Sequence, residues 1–322
     1  MSDRRRARLL IWIGLAAAAT GLLIAAVVPG PDATGATGSG FGPGPVTPGT
    51  PVTPEWAAVG GLTPGLDPDS TNPCKAGSVE CLDVVVGEME ARFDALACAH
   101  TAPFAFTYLE TTRDVQRRVA DPEFFVEPAV VSQLDALFAR LYFDAIDNWE
   151  AGRFEDVPGA WRLAFQAADE GRTSAAADVF LGMNAHISRD LAYAVAQVVG
   201  ANTGMIADPT DYLRVNEIIA EVQGPMLDGA AERFDPQLSE LASLLPADIG
   251  VDSVELIARW RQQSLDLGQR LAAARSIEEA TAVSAEIERN AVAGAVMILN
   301  ADSSLSVDDE LFDRDEYCEA HL

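Results

Sequence analysis

His186 and Asp190 stand four residues apart in the stretch Asn184-Ala185-His186-Ile187-Ser188-Arg189-Asp190-Leu191. On a helix that spacing puts both side chains on one face. The surrounding run is apolar on nearly every side, with Val179, Phe180, Met183, Ile187, Leu191, Ala194, Val195 and Val198. A helix apolar all round belongs inside a fold, so the pair is expected to be at least half-buried. A buried imidazole beside a carboxylate can do three things. It can offer one nitrogen and one oxygen to a metal ion. It can act as a general base oriented by Asp190. Or it can close a hydrogen-bond network with Asn184 that fixes helix register.

The metal reading has a spacing precedent: His-x-x-x-Asp on a helix resembles helical zinc hydrolases such as bacterial phospholipase C and P1-type nucleases. Zinc or another divalent metal would need further ligands. Only two other histidines exist, His100 and His321. His321 lies in the acidic tail, so His100 is the expected third ligand, with Asn184 supporting. Asp144, Asp147, Asp208 and Asp211 are further candidate carboxylates. A di- or trinuclear zinc centre would need more histidines than the chain has. Tyr142, Phe143, Trp149, Trp161 and Phe165 form an aromatic group over two adjoining helices. It reads as core, or as the lining of an apolar pocket for a lipid-like ligand. No Walker loop, GxGxxG, GxSxG or HExxH occurs, which removes the common nucleotide, hydrolase-elbow and zincin chemistries.

These residues must be positioned by helices. From about Ser78 to Asn300 apolar residues recur at three and four rather than at two, and no stretch alternates as a strand would. The clearest helix runs from Pro128 to about Glu150 and stops before Gly152. Others are expected after Pro158, after a Thr173 or Ser174 cap as far as Val199, from Asp211 with a break at Gly224-Pro225, after an Asp252 or Ser253 cap, and from Ile277 to Leu299. The expected fold is all-α: an irregular multi-helix bundle forming one domain over residues 76–300, with an acidic tail over 301–322.

The N-terminus gives an address. Arg4, Arg5, Arg6 and Arg8 form a basic stub over residues 1–8. The uncharged apolar run Leu9–Val28 follows, about the 20 residues that cross a bilayer core as a helix. Basic residues stay inside, so the bulk of the chain is expected outside the cytoplasm, held by a single-pass signal anchor. A cleaved signal peptide, which would make the protein secreted, is the competing reading. Residues 29–75 are rich in Pro, Gly and Thr without apolar periodicity, and read as an extended tether.

Acidic residues outnumber basic ones by 49 to 22, for a formal charge of -27. That speaks against nucleic acid, whose binding begins with neutralised phosphates. The four cysteines, Cys74, Cys81, Cys98 and Cys318, permit disulfides in an exported chain. Three pairings are possible. Cys74 with Cys81 would close a short loop and Cys98 with Cys318 would staple the tail to the first helix, and this pair of bonds is favoured; the alternative is Cys98 as a buried thiol.

Several stretches together carry a family resemblance: His100-Thr101-Ala102-Pro103-Phe104 with Tyr108-Leu109; Leu141-Tyr142-Phe143-Asp144-Ala145 through Trp149; Val157-Pro158-Gly159-Ala160-Trp161-Arg162; Asn184-Ala185-His186-Ile187 with Asp190-Leu191; and Asp211 with Arg214-Val215-Asn216. This pattern resembles a largely actinobacterial domain family of unknown function, DUF5995, over roughly Glu88 to Leu299. The resemblance implies an all-helical fold and places His100, Asn184, His186 and Asp190 within recurrent motifs; it implies no reaction. The anchor, the tether, Cys74, Cys81 and Cys318 depart from it. Two functions are therefore expected: a membrane-tethered, metal-dependent hydrolase-like enzyme, or a non-catalytic envelope domain that binds an apolar ligand or a protein partner.

Overall fold

Asn72 opens the helical part of the chain. Its side chain accepts hydrogen bonds from the backbone N–H of Cys74 and Lys75, and Pro73 supplies the pre-set first position of α1, Pro73–Ala76. The computed structural model describes residues 62–201, 208–240, 253–305 and 313–322. The expected membrane span 9–28 and the tether up to residue 61 lie outside them. No helix among the described residues is long and apolar enough to cross a membrane.

Every regular element among the described residues is helical. After α1 come α2 (Glu80–Leu96), α3 (Ala102–Val119), α4 (Pro128–Glu150) and α5 (Gly159–Asp169). A continuous rod then follows: α6 (Ala175–Ala185), a π-helical turn (His186–Asp190) and α7 (Leu191–Ala201). Ser174 caps the rod by accepting from the N–H of Ala177, as expected. The chain ends with α8 (Thr210–Arg233), α9 (Ser253–Ala272), α10 (Ile277–Leu305) and α11 (Arg314–His321).

The rod is the centre of the domain. α3, α5 and α10 pack on α6, α4 and α9 pack on α7, and the π-turn touches α4, α9 and α10. Leu181, Leu191, Val195 and Val198 in it are essentially solvent-free, as an all-round apolar sequence requires.

Two expectations are corrected. The helix that starts near Asp211 does not break at Gly224-Pro225; α8 runs through Pro225. Proline removes one backbone donor and crowds the preceding turn, but Pro225 is exposed while Met226, Leu227, Ala230 and Ala231 are buried just beyond it. Core burial carries the helix past the defect. The tether does not last to residue 75 either. Leu62 is buried, its carbonyl accepts from Arg140, and the Gln133 amide bonds both backbone groups of Gly65 and the carbonyl of Cys74. The C-terminal end is held as a Cys98–Cys318 staple would hold it. α11 is docked by a Cys98–Cys318 disulfide and by Arg314, which donates to the buried Asp178 at 2.6 Å. Cys74 and Cys81 form the second disulfide.

Candidate ligand cavity

The π-turn sets the geometry of the site. One extra residue in a helical turn shifts side chains off the regular stripe, and such turns recur at functional positions. Within this turn His186 lies against Asp190, with Nδ1 at 3.1 Å from Oδ2. Asp190 has no solvent-exposed surface and is surrounded by donors. Trp161 Nε1 donates to Oδ2 at 2.8 Å and Arg189 donates to Oδ1 at 2.5 Å. Arg189 also reaches Glu288 at 2.8 Å, which in turn accepts from the Tyr193 hydroxyl.

This network fixes the imidazole. A carboxylate facing Nδ1 makes that nitrogen the donor and leaves Nε2 as the acceptor. Burial pushes the His186 pKa below its ordinary value, against the opposing hydrogen bond to Asp190, so the ring is neutral at neutral pH. Nε2 is buried and has no hydrogen-bond partner.

His186 lines a cavity of about 120 Å³ between α3, α4, the rod, α8 and α9. Its walls are mostly apolar, with Phe104, Phe138, Val179, Met183, Leu191 and Ile257 among them. Four polar residues interrupt the lining at buried atoms that make no hydrogen bond of normal geometry: His186 at Nε2, Tyr108 and Thr112 at their hydroxyls, and Asp135 at Oδ2. Tyr108 stands edge-on to His186 with ring centroids 4.4 Å apart. Burial raises its pKa well above the ordinary value, and the charge of Asp135 adds to that. Burial also pushes Asp135 up to about 7, against the pull of Arg261. Arg261 completes this wall. Its Nε donates to Asn216 Oδ1 at 2.8 Å, its Nη2 to the carbonyl of Tyr212 at 2.7 Å, and its guanidinium lies over the Tyr212 ring.

The residues singled out from sequence fall into distinct places. His186 lines the cavity and Asp190 stands behind it. Trp161, expected in the pocket, is instead the indole donor to Asp190. Tyr142 packs edge-on against Phe104 in the core and does not line the cavity; nor do Phe143, Trp149 and Phe165. Asn184 points away, donating to the carbonyl of Ala291 at 2.7 Å, where Gly294 leaves it room. Asp144 pairs with Arg140 at 3.4 Å. Asp211 accepts from the N–H of Val126 and Glu127 and so holds the start of α4. Asn216 supports Arg261.

The expected metal triad is not assembled. His100 sits beside the tail, with Nε2 at 3.0 Å from Asp315 and Nδ1 at 3.5 Å from Asp178. Asp147 is engaged by Arg92, and Asp208 caps the turn before α8. No three His, Cys, Asp or Glu side chains among the described residues gather so as to hold a metal ion. The donors proposed from spacing are divided between a buried network and a surface latch.

Asp135, Tyr108, Thr112 and Arg261 were missed from sequence. For Asp135 a signal existed: it lies four residues after Val131 and three before Phe138, a carboxylate on a helix face that is otherwise buried.

Fold and cavity together define an all-helical domain, stapled by two disulfides around an apolar chamber with polar points. The chain belongs to the family of unknown function DUF5995, whose model matches residues 82–301. All residues that line the cavity fall within that span, whereas Cys74, Cys81 and Cys318 lie outside it. No curated protein matches the chain, and no solved structure does.

Proposed function

We propose that this protein is a membrane-tethered, extracytoplasmic ligand-binding domain that takes a small, largely apolar molecule into the cavity beside His186. The observation that carries the reading is the cavity itself, with His186 Nε2 and Asp135 Oδ2 unpartnered and the Tyr108 and Thr112 hydroxyls meeting only each other in an apolar lining. Leaving such atoms unpaired costs stability, and a ligand with a suitable polar group relieves that cost. Size narrows the choice: an engineered cavity of about 150 Å³ takes benzene. A chamber of about 120 Å³ is therefore matched by a one-ring ligand.

The address rests on the apolar run 9–28 behind four arginines and on the two disulfides, which suit an oxidising compartment. The intact mass of the mature chain tests it. A chain that retains Leu9–Val28 supports the tether; cleavage after that run would make the domain secreted.

Binding is tested with the full chain in detergent, titrated separately with benzene and with phenol while Tm is followed. Ligand should raise Tm, and Ile219→Trp, at a half-buried lining position, should abolish the effect. No shift with either, or a shift indifferent to Ile219→Trp, would overturn the reading. One observation favours a second reading, metal-free general-base catalysis: Asp190 holds Nδ1 and leaves the Nε2 lone pair facing substrate space. It requires a turnover rate that falls as His186 becomes protonated.

A further inference from the structure

We infer that the ligand class is the small uncharged hydroxyl compound, a phenol or an alcohol of one-ring size, which donates its O–H to His186 Nε2 and accepts at the same oxygen from the Tyr108 hydroxyl. The inference rests on the cavity being a binding site, as proposed above, and adds the chemistry of its occupant.

The argument starts from what each unpartnered atom requires. His186 Nε2 is an acceptor, because Nδ1 is turned to Asp190. It needs a donor from the ligand. Tyr108, edge-on to the same imidazole, carries a hydroxyl that Thr112 meets as a donor, so its own proton is left to give. A hydroxyl group meets both demands from one atom, since it donates once and accepts twice. A ketone or ether would accept from Tyr108 but leave Nε2 unpaired. A plain hydrocarbon would leave both unpaired.

Charge is excluded by the walls. The lining is mostly apolar, and an ion entering it loses its hydration. The one cation among the described residues that lines the chamber, Arg261, is held by Asn216, the Tyr212 carbonyl, the Tyr212 ring and the field of Asp135. Asp135 already faces the Arg261 guanidinium, so it is not left over as a countercharge for an amine.

The test compares phenol, benzene, benzoate and benzylammonium on the full chain in detergent by calorimetry, with 15N-histidine NMR as the second readout. The chain has only three histidines, so three ring systems report; His100→Gln and His321→Gln, both outside the cavity, assign them. Phenol should bind at least about tenfold more tightly than benzene, the worth of one or two hydrogen bonds to otherwise unpaired buried groups. It should also move the Nε2 resonance of His186 toward the hydrogen-bonded position, and benzene should not. In Tyr108→Phe, which keeps the ring and so the fold, most of the preference for phenol should disappear. Equal binding of phenol and benzene would overturn the inference and leave the cavity reading intact. Tighter binding of benzoate or benzylammonium would also overturn it. No binding of any probe would remove both.

Discussion

The imidazole of His186 lies flat on the ring of Phe138, with centroids 3.5 Å apart and planes 7° from parallel. Asp190 grips the same imidazole at its edge through Nδ1. One contact fixes the plane of the ring and the other fixes its rotation within that plane. Nε2 is thereby aimed without any contact to itself, which is how a buried acceptor stays available for a ligand.

Removing Asp190 should therefore cost more than one hydrogen bond. Its carboxylate satisfies His186, Trp161 and Arg189 together. Asp190→Asn strips one of two countercharges, the other being Glu288, from a buried guanidinium and is expected to destabilise by about 3 kcal/mol. Trp161→Phe removes one donor and should cost about 1 kcal/mol. Urea denaturation of the two variants measures the gap, and equal losses would show that the ion pair adds nothing.

Asp135 predicts a pH dependence. Its folded pKa is raised from 3.8 to about 7. A group raised on folding contributes stability that is fully present below its unfolded value and is lost as pH rises to its folded value. Asp135→Asn removes this loss. The Tm of the variant, relative to the parent, should climb between about pH 4 and pH 7 and level off above that. A difference independent of pH would show that the carboxyl is ionised throughout.

The two halves of the site were unequally legible in the sequence. His186 and Asp190 announced themselves because four-residue spacing on an apolar helix is a local signal, and the buried fate of both is observed. Their grouping with His100 failed for a non-local reason: His100 is carried to the tail side by the same region that Cys98–Cys318 staples. The opposite wall joins Asp135 on α4 to Arg261 on α9, and no periodicity reports which helices face each other. Local rules also misread Pro225, where burial of the next turn outweighs the lost hydrogen bond. The helix Pro128–Glu150, by contrast, was legible at both ends because its proline start and glycine stop act locally.

Asn184 should prove structural. Its side chain bonds α10 at Ala291, and a methyl group on Gly294 would collide with its Oδ1. Gly294→Ala is expected to destabilise by about 1–3 kcal/mol through overpacking, despite alanine being the better helix former. Ligand affinity, measured on the folded fraction, should change little because neither residue lines the cavity. A stabilised Gly294→Ala variant would mean that α10 shifts freely against α6.

The disulfides should differ in weight. Cys74 and Cys81 are 7 residues apart, Cys98 and Cys318 are 220 apart. By the chain-entropy account the short loop contributes about 2 kcal/mol and the long one about 5 kcal/mol. The long bridge also secures α11, whose Arg314 holds a carboxyl that burial pushes up to about 7, Asp178. Cys98→Ser/Cys318→Ser should thus lower Tm well beyond Cys74→Ser/Cys81→Ser and raise the protease sensitivity of Arg314–His321. His100 reports the release independently, because its Nε2 loses Asp315 when α11 detaches. If the two double variants melt together, docking of α11 rests on Arg314 and Asp178 rather than on the covalent staple.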